Sequence, residues 1–444
     1  MITIPPPLTM PKLDSGLSLT RPEIRVLPNG LRILAEQIPV DAVNLSIWVN
    51  VGSAFESDAI NGMAHFLEHM IFKGTERQRV GAFEQAIESC GGNTNAATSQ
   101  DYTHYYINVA PQDFAKFAPL QLDLVCNARI PEPEFNRERS VVLEEIRRSD
   151  DSPERRLYRH SAEQLFTQLP YRRPVLGPTA VIEQVTAEQM RAFHQHWYHP
   201  QNMTVVVVGN LPVEHMIDVV AEFFATQPAH NIPQPVTPQY APEPNFVTIS
   251  HSEFIDQGLQ QPRLLLSWRL PGLQQCRTTS NYRTLIMLNI LSSILTGGRT
   301  SRLIQELREK RHLVDRISAS ATAFRWQGLF QIAAKLPADS TSSQLSSVEE
   351  HLQGEIARLI HHPVTNEELA KIRTQVANRF IFASESPREK AGLYGYYDRV
   401  VDNLEVALHY PEIVRSITPA EIQATAATYL NPAAYSRIIA VPQS

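Results

Sequence analysis

Cysteine is scarce in this chain of 444 residues: Cys90, Cys126 and Cys276 are odd in number, far apart and without a C-x-x-C spacing. That argues against a disulfide framework and a thiolate metal site, and it favours a reducing compartment. An excess of basic residues is missing too. Lys plus Arg number 40 against 46 Asp plus Glu, a formal charge of −6, so no long-range field draws the chain to nucleic acid or anionic lipid. No apolar run reaches the length needed to cross a bilayer, and no membrane span is expected. The stretch Met1 to Leu19 has prolines at 5 to 7 and at 11. It lacks the apolar core and basic flank of a secretory signal and the arginines of a transit peptide, so a cytoplasmic protein is expected.

What is present is an ordinary interior for two domains. Apolar residues make up 43% of the chain, enough for packed cores at this length. Ile24 to Leu34 reads as a hairpin around Asn29-Gly30. Leu45, Ile47, Val49 and Val51 mark a strand with one buried face, and helical patterns come next at 62–73 and 134–149. Strands and helices come in mixed order, without a steady βαβα rhythm, so the expected class is α+β with largely antiparallel sheets. The segment Gln227 to Pro244 is rich in proline and poor in apolar residues, the texture of an extended linker. It divides the chain into 1–226, a linker 227–244, and 245–444.

The two halves look alike. Val185-Thr186 opens a helix closed by Trp197 and Pro200, and a strand comes next at Val205 to Val208. Ile417-Thr418, Tyr429 and Pro432 repeat that spacing ahead of Ile438 to Val441, and Leu264 to Leu270 echoes Leu45 to Val51. Two copies of one α+β unit are the economical reading.

Chemistry concentrates at His65-Phe66-Leu67-Glu68-His69. Two histidines four apart on a helix share a face and can bind one ion, with Glu68 beside an open metal position as a proton acceptor. A chain with 15 histidines can reach that spacing by accident, so spacing alone leaves metal binding open. In the helix Asn136 to Ile146, Glu138 and Glu145 share a face and offer a third ligand, while Glu144 pairs with Arg148. A solvated, arginine-laced helix would look the same. Gly91 to Thr98 is small and polar, suited either to close approach of a second backbone or to a glycine-bent loop.

The block His65 to Met70, then Phe72-Lys73-Gly74-Thr75, Gly91-Gly92-Asn93, Asn95-Ala96, Thr98-Ser99 and Asp101-Tyr102-Thr103, resembles the pitrilysin or insulinase family of inverted-motif zinc peptidases. The likeness is strongest to the β subunit of mitochondrial processing peptidases and its bacterial counterparts. It implies two homologous α+β halves arranged as a clamshell, with one zinc per chain held by His65, His69 and Glu145. It further implies Glu68 as general base, Glu138 as a carboxylate orienting a histidine, and an edge at Asn95 and Ala96 that holds an extended peptide substrate as an added strand.

The second half departs from the pattern. Its apolar helix from Asn281 to Leu295 has no His, Asp or Glu, so no second metal site is expected there. In Gly297 to Arg311 the resemblance places a substrate-binding arginine at Arg308, but the tyrosine expected seven residues later is Asp315, and the family glycine is His312. An ionised aspartate cannot donate to an oxyanion. The resemblance therefore implies a heterodimer in which a related subunit supplies the arginine and tyrosine; a homodimer in which Tyr282 or His312 substitutes is the alternative. A second alternative is a non-catalytic assembly or peptide-binding subunit that keeps the fold. The histidines His194, His196 and His199 flank aromatic residues at a helix end and read as its cover.

Overall fold

The computed structural model describes residues 19–227 and 238–443. The N-terminal stretch before Leu19 and residues 228–237 of the proline-rich segment lie outside the described residues.

Strands β1 (Glu23–Val26), β2 (Arg32–Gln37), β3 (Val43–Val49), β4 (Asn93–Thr98), β5 (Thr103–Val109) and β6 (Met203–Gly209) form one sheet in the order β1-β2-β6-β3-β5-β4. Only β2 and β6 run parallel. Strands β7 (Ser250–Asp256), β8 (Arg263–Pro271), β9 (Arg316–Ala323), β10 (Gln327–Lys335) and β11 (Ser436–Pro442) form the second, in the order β7-β11-β8-β10-β9, again with a single parallel pair, β7 and β11. The chain is α+β, two like halves of mostly antiparallel sheet packed with helices. β1 and β2 form the expected hairpin, in which Asn29 Oδ1 accepts the Leu31 N–H at 3.1 Å and Gly30 adopts φ 86°.

Seven helices carry the site or join the two halves: α1 (Met63–Ile71), α2 (Glu132–Asp151), α3 (Pro153–Leu165), α4 (Ala187–Trp197), α5 (Thr279–Thr296), α6 (Pro387–Gly395) and α7 (Pro419–Tyr429). The repeat read from spacing is visible in the caps. Thr186 and Thr418 each accept from the third helical N–H of α4 and α7, and Gln189 and Glu421 each reach back to the cap, two capping boxes ahead of the equivalent strands β6 and β11.

β3 corrects the expectation of a single buried face. Leu45, Ile47 and Val49 pack into the first-half core, but Asn44, Ser46 and Trp48 are buried as well. The cover comes from the other half: α6 lies across β3 and β6, and Trp48 and Val206 join the second-half core. The approach is close, since a Cβ on Gly395 would stand 2.0 Å from Trp48 Nε1. The exchange is mutual. α3, from the first half, packs on β7 and β11, where Leu157 joins Leu265, Ile438 and Ala440. Each sheet thus has its second face closed by a helix from the opposite half.

Charged groups fasten this exchange. Lys390 Nζ on α6 meets Glu36 Oε1 at 2.5 Å and Tyr394 donates to Glu36 Oε2, all three buried. Arg156 of α3 pairs with Asp256 at 2.6 Å. Within the segment 238–244, the buried Glu243 carboxylate accepts the N–H groups of Thr167, Gln168 and Leu169 and pairs with Arg269 at 2.9 Å. Removing one partner of a buried pair leaves the other charge without compensation. Lys390→Met is therefore expected to lower unfolding free energy by about 3–5 kcal/mol, read from urea denaturation.

Candidate metal centre

α1 starts at Gly62, which sits at φ 98° and offers no side chain to cap the helix. The cap is supplied from outside: the buried Glu56 carboxylate accepts the N–H groups of Gly62 at 2.8 Å and Ala64 at 2.7 Å, and the Asn61 amide at 2.9 Å. Burial outweighs these bonds and pushes its carboxyl up to about 7. Sequence reading missed Glu56, because it stands outside capping-box spacing. The far end stops at Ile71, and Gly74 beyond it turns the chain at φ 90°.

α1 packs against α2, with Phe66 stacked on Phe135 at 4.6 Å. That contact brings a seven-residue-spaced face of α2 onto the histidines. His65 Nε2 lies 3.5 Å and His69 Nε2 3.6 Å from Glu145 Oε2, and one ligand atom from each of the three residues falls within 4.8 Å of the others. Donors about 2.1 Å from a tetrahedral ion stand about 3.4 Å apart, so the donor set and its spacing fit a zinc ion. Among the described residues this is the one group of His, Cys, Asp or Glu with that convergence. α5 brings no such residue into the second half.

Glu138 stands behind the cluster. Its Oε1 lies 2.9 Å from His69 Nδ1, and its Oε2 2.7 Å from Lys73 Nζ. The first contact leaves His69 Nε2 for the ion and fixes the ring. Burial works against the charge on His69, but the bond to Glu138 and the charges of Glu145, Glu138 and Glu68 together raise its pKa. Burial, aided by His69, holds His65 down to about 3, so it is neutral. Glu144 points away, in exposed pairs with Arg147 and Arg148 that contribute little.

Glu68 lies between α1 and the sheet, with its Oε2 accepting from Thr98 Oγ1. Burial raises its pKa, the Thr98 bond and His69 opposing and Glu145 adding to the rise. Thr98 ends β4, the edge strand of the first sheet, paired only with β5 among the described residues. Asn95 and Ala96 lie mid-strand, opposite Tyr106 and Tyr105. The turn after β4 is pinned from both halves: the buried Asp101 accepts the Arg325 N–H of the second half at 2.9 Å and the Tyr171 hydroxyl of the first at 3.0 Å. Neither Thr98 as a partner of Glu68 nor Asp101 as an anchor was singled out by the sequence reading, although both stand in the motif block.

The structure does not bring Arg308 to the cluster. It lies on the segment Ile304–Lys310, bonded to Glu309 at 2.6 Å, with no hydrogen bond or ion pair to the metal group among the described residues. Asp315 accepts from Gln261 Nε2 at 2.5 Å. His312 has φ 53°, a conformation that explains the family glycine at that position. His194 is buried against the Val125 carbonyl at 2.8 Å and stacked on Tyr198, the cover its position suggested.

Two like α+β halves with one inverted His-x-x-Glu-His helix define the class of inverted-motif zinc peptidase folds. The chain belongs to peptidase family M16. A model described as "Insulinase (Peptidase family M16)" matches residues 32–179 and one described as "Peptidase M16 inactive domain" matches 184–376. A Streptomyces coelicolor protein named an uncharacterized zinc protease is 31% identical over 85% of this chain and 80% of its own length. A probable mitochondrial-processing peptidase subunit beta of Arabidopsis thaliana is 28% identical over 82% of this chain and 68% of its own length. The crystal structure of a protease from Helicobacter pylori superposes with a TM-score of 0.87 at 25% identity, covering 96% of this chain and all of that one.

Proposed function

We propose that this chain is a zinc-dependent endopeptidase acting on extended, unfolded peptides, and that it is the zinc-bearing subunit of a two-chain processing peptidase. The observation that carries this reading is the convergence of His65, His69 and Glu145, with Glu68 beside them and Glu138 behind His69. Zinc bound there would polarise the peptide carbonyl and acidify a water molecule. Glu68 takes the proton from that water and returns it to the leaving amine; its raised pKa, due chiefly to burial, suits both steps. Glu138 keeps His69 oriented. The substrate backbone adds to the open edge of β4 at Asn95 and Ala96, where small side chains admit a second chain. Main-chain pairing of that kind requires an extended peptide.

The two-chain arrangement rests on Asp315 and on the relative named a processing-peptidase subunit. Of the two residues weighed as substitutes for the missing tyrosine in a homodimer, Tyr282 is buried in the second-half core beside Tyr397. We keep the division at 1–226 and 245–444 for the zinc-bearing and metal-free halves. Three free cysteines favour a reducing compartment, and we place the protein in the cytoplasm; no helix among the described residues is long and apolar enough to cross a membrane.

The test is to purify the chain alone and with candidate partners, measure zinc, and follow cleavage of an unstructured quenched peptide. The expected result is one zinc per chain, with cleavage only beside a partner carrying the arginine and tyrosine. Full activity alone rejects the two-chain arrangement. Absence of both zinc and cleavage in every combination rejects the peptidase.

A further inference from the structure

Three cations stand in one row on the second sheet. Arg316 of β9 is the direct partner of Lys335 on β10, and Lys335 is the direct partner of Arg263 on β8. Direct partners share a face, so three neighbouring strands present like charge side by side, an arrangement that is destabilising by itself. Only one of the three is neutralised. Arg263 meets Glu154 of α3 at 2.5 Å, and this bond first, with Lys335 adding last, holds the Glu154 carboxyl below its usual range. Arg316 and Lys335 have no ion pair or side-chain hydrogen bond among the described residues, and the nearby Asp315 is engaged by Gln261 instead.

The row opens on a cavity of about 460 Å³ between α3 and the second sheet, floored by Ser318 and Gln331, walled by Tyr158 and lined as well by the carboxylates of Glu154 and Asp315. Tyr158 ties this cavity to the metal centre. Its hydroxyl accepts from Gln100 Nε2 at 3.3 Å, and Gln100 stands two residues beyond Thr98, where the edge strand ends. Tyr158 therefore stands between the cavity and the end of β4. Three cations against the two carboxylates of Glu154 and Asp315 leave this cavity net cationic in a chain of net charge −6, and an anion complements it.

We propose that this cavity is a specificity subsite that takes a carboxylate of the substrate peptide, an Asp or Glu side chain or the C-terminal group, between Arg316 and Lys335. The identity of the ligand as a peptide rests on the peptidase reading; the anion preference rests on the row alone. A bound carboxylate relieves the repulsion that the empty sheet carries, and it selects acidic over neutral peptides.

The test uses the zinc-loaded full-length chain carrying Glu68→Gln, so that peptide is not consumed. Binding of short, fluorescein-labelled unstructured peptides is measured by anisotropy, with Asp and Glu or their amides inside, each with a free or amidated C-terminus. The expected result is at least tenfold tighter binding of the acidic peptides, or of the free-acid forms if the C-terminal group is the ligand. That preference should vanish in Arg316→Gln/Lys335→Gln and reverse towards a lysine-containing peptide in Lys335→Glu. The double substitution also removes the repulsion, so its melting temperature should equal or exceed the parent's. Equal affinities for all peptides, a preference that survives the double substitution, or a lower melting temperature overturns the proposal. Cleavage by the Glu68-containing chain is assayed in parallel with each candidate partner: no cleavage in any combination, with the binding preference intact, overturns the peptidase reading alone.

Discussion

Glu68→Gln is expected to lower kcat for an unstructured peptide by roughly 10²–10⁴-fold, the range a positioned general base contributes, with zinc content and KM unchanged. The substitution is nearly isosteric, and the amide oxygen can still accept from Thr98 Oγ1 as the carboxylate does. Geometry and metal are therefore preserved while the proton acceptor is lost. The measurement is a single-turnover rate beside a zinc determination on the same sample. A variant that holds zinc and cleaves at the parent rate would remove Glu68 from the chemistry and turn the metal into a structural one.

A graded series along α2 probes the ligand set. Glu145→Ala deletes a ligand atom within 3.6 Å of both imidazole Nε2 atoms. Glu138→Gln alters the group behind His69 and its pair with Lys73 but deletes no ligand atom, a change expected to weaken zinc binding by roughly 10–100-fold. Glu145→Ala should exceed that range, and Glu144→Ala, on the exposed face with Arg147 and Arg148, should leave affinity untouched. Competition with a chelator of known affinity gives the order. If Glu144→Ala costs as much as Glu145→Ala, the wrong face of the helix has been assigned to the metal.

Much of this arrangement was legible in the sequence, because its determinants are local. The histidine spacing, the seven-residue step from Glu138 to Glu145, the Asn29-Gly30 turn and the paired Thr caps each act within a few residues, and each appears where the spacing placed it. β3 misled for the opposite reason. Asn44 and Ser46 alternate with apolar residues as solvent-facing positions would, yet Asn44 donates to the Ile107 carbonyl at 3.1 Å and Ser46 to Asn44 at 2.7 Å beneath α6. Nothing near residue 44 in sequence announces a helix from residues 387–395. Glu56 escaped for a similar reason: its carboxylate caps a helix across a loop, and no spacing rule covers that geometry.

The crossed helices also order the events of synthesis. β3 and β6 are made early, but Trp48, Leu34 and Val206 acquire their apolar cover only when α6 has been made, near the end of the chain. Until then the nascent first half carries a bare greasy face, the condition under which partly made domains self-associate. The helix of His65 and His69 sits on the opposite side of that sheet, within a core drawn from the first half apart from Trp326, so most of its packing can precede completion of the polypeptide while a stable product must wait for α6.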